Sequence, residues 1–370
     1  MINNKLIVST KSKAYPIYFG NKCLGITGRL IKKKLPNVKK ICIISDNKVP
    51  KILLKKLTNS LKNFDLKIYK LSVNENIKSF SVANKIAEHI LNNNFNRTDC
   101  IIAFGGGIVG DLSAFVSSIV KRGMKFVNIP TTLVAQADSS VGGKTGINTK
   151  NGKNLIGTFH QPEFVLIDTF MLNSLPKKEM ICGYGEILKH ALILDKKFFL
   201  FLSKYGRSII LKKNNIKLTE AIIKSCKIKS KIVSKDEKEN GLRMILNFGH
   251  TFAHAFEGAA GFSIKINHGT AVLLGMMLAI ELAYNKKILS IKDLKLIKKH
   301  YKNLNLPYKF SMYFKKNKIN KIIYFMKKDK KNTNKKINLI LLKKIGKTTK
   351  PNNFDIDGQK LKRFLVENYR

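Results

Sequence analysis

Hydrophobic positions divide this chain into two parts of different period. Between Lys40 and Asp168, short runs rich in β-branched residues alternate with segments of helical period: Ile41–Ser45, Leu66–Leu71, Cys100–Phe104, Phe126–Ile129 and Phe164–Ile167. Runs this short and apolar predict buried strands, and their alternation with helices predicts a parallel sheet covered by helices. Beyond Pro176 the β-rich runs largely end. Segments of 3.6-residue period follow, around 179–194, 216–234, 243–257, 269–285 and 291–303. The expected architecture is an α/β domain over residues 1–175 and an all-α domain over 176–370. The boundary falls near Leu175-Pro176, where proline ends or restarts an element. Lys327–Lys336 is low in complexity and is expected to form a solvated loop before a last strand-like run, Ile337–Leu342.

One predicted helix inverts the usual amphipathic pattern. Arg243, Asn247, His250, His254 and Glu257 recur at alternating spacings of four and three among Met244, Ile245, Leu246, Phe248, Phe252 and Phe256. On a helix that spacing puts all five on one face. A polar stripe on an otherwise buried helix must meet an ion, a ligand or buried partners; satisfied core histidines are the plainer alternative. His250 and His254, one turn apart, have the spacing of two ligands to one metal. His268 is expected at a helix start, and Glu186 shares a helical face with Lys189 and His190. Three such ligands with an open fourth position make a catalytic metal site, and spacing leaves open which two histidines bind. Lys189, Lys229 and Arg243 would make the open position cationic, suited to a phosphorylated, carboxylated or polyhydroxylated substrate.

The first part carries a different signal. Cys100–Phe104 runs into Gly105-Gly106-Gly107-Ile108-Val109-Gly110-Asp111 and then an apolar helical segment. Strand, glycine loop and helix form a phosphate-binding arrangement, because glycines admit the ligand to backbone N–H groups and the helix N-terminus is partly positive. A tight turn without a ligand is the alternative. No acidic residue ends the next strand, where Pro130-Thr131-Thr132 stands, so Asp46 at the end of the first strand is the candidate for a ribose contact. Gly142-Gly143-Lys144-Thr145 resembles a triphosphate loop, but Asp138 occupies the first glycine position of that motif and excludes it. What remains is a glycine-rich loop presenting Asp138, Lys144, Lys153 and Asn154 to a phosphate, a carboxylate or a polyol.

Composition narrows the choice. A chain of 370 residues, 44% hydrophobic, can bury a large core. The longest apolar run, Ala271–Ile280, is too short to span a bilayer and no leader pattern opens the chain, so a soluble, cytoplasmic protein without membrane partners is expected. Five separated cysteines without a C-x-x-C read as buried reduced thiols. The formal charge of +47 would suit a polyanion, but the lysines are scattered and lack interleaved aromatics, which argues against a specific nucleic-acid partner. Salt-sensitive adhesion to polyanions at low ionic strength is expected.

The segments GGGIVGDLSAFVSSIVKRG, PTTLVAQADSSVGGKTGIN, GKNLIGTFHQP, GEILKHALILD, DEKENGLRMILNFGHTFAHAFE and NHGTAV stand in this order. In them the chain resembles the 3-dehydroquinate synthase family of sugar-phosphate cyclases, from about residue 40 to 346. The resemblance implies a Rossmann-like NAD-binding domain and a helical metal-binding domain with the active site between, in a homodimer. It implies conversion of 3-deoxy-D-arabino-heptulosonate 7-phosphate to 3-dehydroquinate and phosphate, with catalytic NAD and divalent zinc or cobalt. The metal ligands it implies are Glu186, His250 and His268. His254, Lys189, Asn247 and Asp138 are implied as catalytic residues. Substrate contacts fall on Arg122 (reaching a neighbouring subunit), Lys144, Asn154, Lys189, Lys229, Arg243 and His254. NAD contacts fall on Asp46, Val73, Asn74, Glu75, Asn76, Ile77, Lys78, Gly107, Ile108, Val109, Gly110, Asp111, Thr131, Thr132, Lys144, Lys153, Met171, Leu172, Asn173 and Ser174. Lys330 or Lys331 would complete a phosphate pocket. Asn74 and Gly185 depart from the usual glycine and alanine. Thr270 replaces a usual glutamate and is expected to remove a carboxylate that orients His268, weakening the metal site.

Overall fold

The structure, a computed structural model, describes residues 2–150, 152–212, 215–261, 266–328 and 336–369. They form two compact units: Met1–Pro176 with Leu218–Glu237, and Lys177–Lys217 with Lys238–Arg370.

In the first unit the strands are β1 (Ile2–Ser9), β2 (Ala14–Gly20), β3 (Lys40–Asp46), β4 (Asp65–Leu71), β5 (Cys100–Gly105) and β6 (Lys125–Pro130), a separate hairpin β7 (Ile147–Thr149) and β8 (Gly152–Ile156), and β9 (Phe164–Asp168). Seven form one sheet in the order β1-β2-β9-β6-β5-β3-β4, with every neighbouring pair parallel except β1 and β2. All five expected strands are present. The β1–β2 hairpin was not expected: β1 is a half-solvated edge, and Pro16 interrupts the strand signal of β2 because it lacks an N–H. Helices α1 (Thr27–Lys34), α2 (Lys51–Ser60), α3 (Phe80–Asn92) and α4 (Gly107–Ile119) connect the strands. Strand residues alternate between two cores: Ile41, Ile43 and Ile102 pack with Ile31, Leu53 and Leu57, whereas Cys42, Ile44 and Ile101 pack with Ile86, Ile90 and Leu112. This is the period of two expected of a sheet buried on both faces. The chain passes from β3 outward to β4 and then back to β5 on the other side of β3. The switch point therefore lies between Asp46 and Gly105, at the carboxyl ends of the strands, where α/β sheets bind ligands.

The remaining helices are α5 (Lys177–Leu194), α6 (Lys196–Ile210), α7 (Asn215–Lys235), α8 (His250–Ala259), α9 (His268–Asn285), α10 (Ile291–Asn303), α11 (Ile319–Lys327) and α12 (Gly358–Glu367). Although it lies beyond Pro176, the α7 segment Leu218–Glu237 packs in the first unit, where Cys226 Sγ faces the Gln136 carbonyl and Lys229 faces Asp138. Helix α6 was missed, although Phe198, Phe199, Leu202, Gly206 and Ile209 repeat at helical spacing and Asp195 caps its start. The last strand-like run is divided: β10 (Lys336–Asn338) pairs with β13 (Asp355–Asp357), and β11 (Leu342–Lys344) with β12 (Lys347–Thr348). No helix among the described residues is long and apolar enough to cross a membrane. All five cysteines are free and buried, and burial pushes the thiols of Cys23, Cys42 and Cys182 up to about 12.

The single helix expected over 243–257 does not form. Leu242–Asn247 is a 3-10 turn, Gly249 sits at φ 78°, and α8 starts only at His250, so the five polar residues do not share one helical face. The break is steric. A Cβ on Gly249 would lie 2.8 Å from the Met276 amide N, and one on Gly275 would lie 2.2 Å from the Gly249 carbonyl O, so α8 meets α9 backbone to backbone. Helix α5 meets α9 in the same way, since a Cβ on Gly269 would lie 2.2 Å from Cys182 Cα. A fully hydrophobic Leu273 fills the space over Gly185, at 3.2 Å from an added Cβ, which accounts for glycine in place of alanine there.

Gly275→Ala is expected to lower stability by about 1–3 kcal/mol despite alanine's better helix propensity, because the clash is with backbone that cannot rotate away; a urea unfolding midpoint measures it. A second expectation concerns His300, buried between Tyr184, whose hydroxyl lies 3.0 Å from Nε2, and Ser203, 3.3 Å from Nδ1. Burial lowers its pKa from 6.5 to about 4. The unfolded chain then binds the proton first, so stability present above pH 6.5 is lost as pH falls toward 4. His300→Gln should remove this dependence, gaining on the unsubstituted chain by on the order of 3 kcal/mol between pH 7 and 4 in paired denaturation curves.

Candidate active site

In the second unit, Glu186 on α5, His250 at the start of α8 and His268 at the start of α9 converge. One ligand atom from each lies within 4.8 Å of the others. His268 Nε2 is 3.1 Å and His250 Nε2 3.5 Å from Glu186 Oε1. Ligand bonds of about 2.0–2.1 Å in a tetrahedral arrangement put donor atoms roughly 3.3 Å apart, so the spacing suits one divalent ion. The histidines are oriented from behind: His250 Nδ1 faces the Phe248 carbonyl at 3.3 Å, and His268 Nδ1 faces Glu257 Oε1 at 3.5 Å. His254 is exposed, its ring 5.6 Å from that of His250, and it is not part of the group.

Glu186 is fully buried. Burial opposes its ionisation, but Lys189 Nζ at 2.5 Å and the two histidines outweigh this and hold its carboxyl well below the usual carboxylate range. Burial, with Lys189, lowers His250 to about 4, leaving it neutral and able to ligate. Burial alone would lower His268 as well, but Glu186 and Glu257 reverse this and raise it to about 10. The His268 ring thus lies between two carboxylates, with Nε2 turned toward Glu186 and the candidate metal position and Nδ1 toward Glu257. Glu257 corrects one expectation. Thr270 leaves His268 with a carboxylate behind it all the same, supplied from α8 instead of α9. Asn247 donates to Glu239 Oε1 at 2.9 Å, and Arg243 is buried in the 3-10 turn. The positions of Lys330 and Lys331 lie outside the described residues.

In the first unit, Gly106 caps α4 and Gly107 opens it. A Cβ on Gly106 would lie 3.1 Å from Thr132 Cγ2 and one on Gly107 3.0 Å from Ser139 Oγ, so the glycine loop, Thr131-Thr132 and the following turn are in close contact. The 3-10 turn Glu75–Ile77, capped by Asn74, leads to Lys78, which is 4% exposed. The extended φ of −148° at Asn74 explains why glycine is dispensable there. Lys78 Nζ donates to Asp111 Oδ2 at 2.7 Å and to Asn154 Oδ1 at 2.5 Å, and Lys153 Nζ lies 3.8 Å from Glu75 Oε1. Burial raises the Asp111 carboxyl, with Lys78 opposing. Asp46, its Oδ1 accepting from the Lys48 amide, ends β3, and Met171, Leu172, Asn173 and Ser174 lie in the 3-10 turn after β9.

Asp138 stands in a turn of π-helix, Ala135–Ser139, and not in the glycine loop; its Oδ1 is 2.8 Å from Lys229 Nζ. The loop that follows presents Lys144 to solvent. It is braced by residues that spacing did not single out. Tyr15 accepts from the Gly142 amide, and Gln161, which leaves no room for a Cβ on Gly143, donates to Glu237. Arg122 is exposed on a backbone with Lys121, Arg122 and Gly123 at φ 50°, 59° and 109°. Two successive non-glycine residues at positive φ are uncommon and mark a constrained presentation of the side chain.

The parallel sheet with its switch-point glycine loop and the helical unit with its Glu-His-His group have the fold of two solved structures. A 2-deoxy-scyllo-inosose synthase complexed with carbaglucose-6-phosphate, NAD+ and Co2+ superposes with a TM-score of 0.88 at 24% identity, over 98% of this chain and 100% of that one. A 2-epi-5-epi-valiolone synthase from Streptomyces hygroscopicus with NAD+ and Zn2+ bound gives 0.83 at 23%, over 97% and 98%. Residues 68–182 match the 3-dehydroquinate synthase N-terminal family and residues 183–332 its C-terminal counterpart. The 3-dehydroquinate synthase of Pelagibacter ubique is 51% identical over 342 residues, covering 92% of this chain and 93% of that protein. The chain belongs to the 3-dehydroquinate synthase family.

Glu257→Gln should weaken zinc binding by about 10–100-fold in chelator competition, because it removes the charged partner of His268 Nδ1. Thr270→Glu, with Glu257 in place, should change it little.

Proposed function

We propose that this chain is a carbon-oxygen lyase that converts 3-deoxy-D-arabino-heptulosonate 7-phosphate to 3-dehydroquinate and phosphate, in the shikimate route to aromatic amino acids. The observation that carries this is the convergence of Glu186, His250 and His268 in a chain of the 3-dehydroquinate synthase family. The donor set, one carboxylate and two imidazoles, suits zinc or cobalt. The crowded glycines at the switch point suit the pyrophosphate of NAD. Bound NAD supplies reversible hydride acceptance and bound metal polarises substrate hydroxyls, and neither is consumed.

The chain's own groups do the rest. Lys189, Lys229 and Arg243, all buried, offer strong cationic contacts to carboxylate and phosphate. Asp138 fixes the ammonium of Lys229, and Glu239 fixes the amide of Asn247, so both meet the substrate preoriented. His254, exposed one turn beyond His250, exchanges a proton with the substrate. Lys144 and Asn154 also contact the substrate. Asp46, the Val73–Lys78 turn, the Gly107–Asp111 turn, Thr131, Thr132, Lys144, Lys153 and the Met171–Ser174 turn contact NAD. The protein works in the cytoplasm as a homodimer in which Arg122 reaches the neighbouring subunit. Support for this comes from the constrained Arg122 backbone and the exposed apolar side chains of Phe80, Ile119 and Phe159 in the same region.

Purified protein supplied with the heptulosonate phosphate, zinc and trace NAD should release phosphate in large excess over the NAD, with no build-up of absorbance from NADH. A chelator should abolish the release. Accumulating NADH would instead indicate a net dehydrogenase, and phosphate release indifferent to chelator would count against the metal site.

A further inference from the structure

Asn148, on β7, has no role in the phosphate, cofactor or metal contacts above, yet its backbone N–H and both polar atoms of its side chain are engaged. Its amide N donates to the Lys78 carbonyl at 2.6 Å, and its side-chain Nδ2 donates to the Glu75 carbonyl at 3.3 Å and to Glu75 Oε1 at 2.8 Å. Its Oδ1 accepts from the Asn154 amide at 3.0 Å. Lys78 closes the circuit by bonding Asp111 and Asn154. The Glu75–Lys78 turn and the β7–β8 hairpin thus meet on one amide, and Lys78 ties the first turns of α4 to both.

The chemistry of that amide is specific. It needs a donor on one side, toward a carboxylate, and an acceptor on the other, toward a backbone N–H, and asparagine is the shortest side chain that carries the two on separate atoms. Asn154 is held at φ 53°, a left-handed conformation that the hydrogen bond from its amide to Asn148 helps to fix. Lys78 has three N–H groups, and two are used by Asp111 and Asn154. Its third has no partner among the described residues and is the one aimed by the circuit.

We propose that Asn148 is a positioning residue for the dinucleotide: it sets Glu75, Lys78 and Asn154 in one fixed arrangement and so determines cofactor affinity without touching the reacting atoms. This rests on the assignment of the NAD contacts given above.

NADH binding to the full chain by calorimetry tests it directly, without turnover. Asn148→Ala and Asn148→Asp should each weaken NADH by about tenfold or more, as expected for loss of hydrogen bonds to a charged group. KM for NAD should rise in step while kcat at saturating NAD is kept. Asn148→Asp sets a carboxylate against Glu75. Combining it with Glu75→Gln exchanges donor and acceptor across the same pair and should recover most of the affinity lost. Asn148→Ser serves if the alanine variant does not fold. Unchanged NADH affinity in the single variants, with only the melting temperature lowered, would overturn the proposal, as would a double variant whose losses simply add. An unsubstituted protein that binds no NADH would remove the functional assignment together with the proposal.

Discussion

A carboxylate sealed from water stays ionised only where positive charge is built around it, and Glu186 imposes that requirement on the whole helical unit. Lys189 satisfies part of it from the same helix. The rest comes from the imidazolium of His268 on α9 and the hydrogen bond from His250 on α8, and these helices approach so closely that their contacts are made by glycine. Packing and chemistry are therefore one constraint. Gly249 and Gly275 bring His250 into range, Gly269 against Cys182 brings His268, and the resulting group could hold a metal ion that would complete the neutralisation that Lys189 begins. Glu257 then compensates for the charge on His268 from behind.

The same economy of acid runs through the first unit. The chain has 23 acidic residues against 70 lysines and arginines. Several of these few acids are held against cations, two of them buried: Asp111 on Lys78, Asp138 on Lys229 and Glu75 on the half-buried Lys153. Glu237 takes hydrogen bonds from Ser12 and Gln161 beside the Gly142-Gly143 loop. The lysine excess leaves these pairs intact because surface charge is screened by solvent whereas buried pairs are not.

What could be read from the sequence follows the range over which each signal acts. The five central strands, the switch-point glycine loop and helices α5, α7, α9 and α10 were legible because hydrophobic period is local. The choice of Glu186, His250 and His268 as candidate ligands came from motif resemblance, since spacing alone left His254 competing with His268. The helix break at Gly249 was not legible: it is caused by Gly275 and Met276 on α9, more than twenty residues on, and the 243–257 periodicity is equally good for one helix or two. Asn148, Gln161, Tyr15 and Glu237 were invisible for the same reason, as each acts through a partner distant in the chain. The packing of α7 with the sheet likewise depends on Lys229 and Cys226 meeting residues about ninety positions earlier. The N-terminal hairpin and α6 are different. Their patterns were present, but a proline in one and a crowded run of aromatics in the other obscured them.

The five buried thiols give the molecule a built-in clock for its own opening. A thiolate is the reactive form, and with pKa values pushed up by burial the native chain offers almost none to an alkylating reagent. Modification then waits on fluctuations that expose each site. Cys42, Cys100 and Cys226 sit at the sheet and under α7 in the first unit, and Cys182 sits at the α5–α9 crossing in the second. The order in which reagent reaches them reports which unit loosens first.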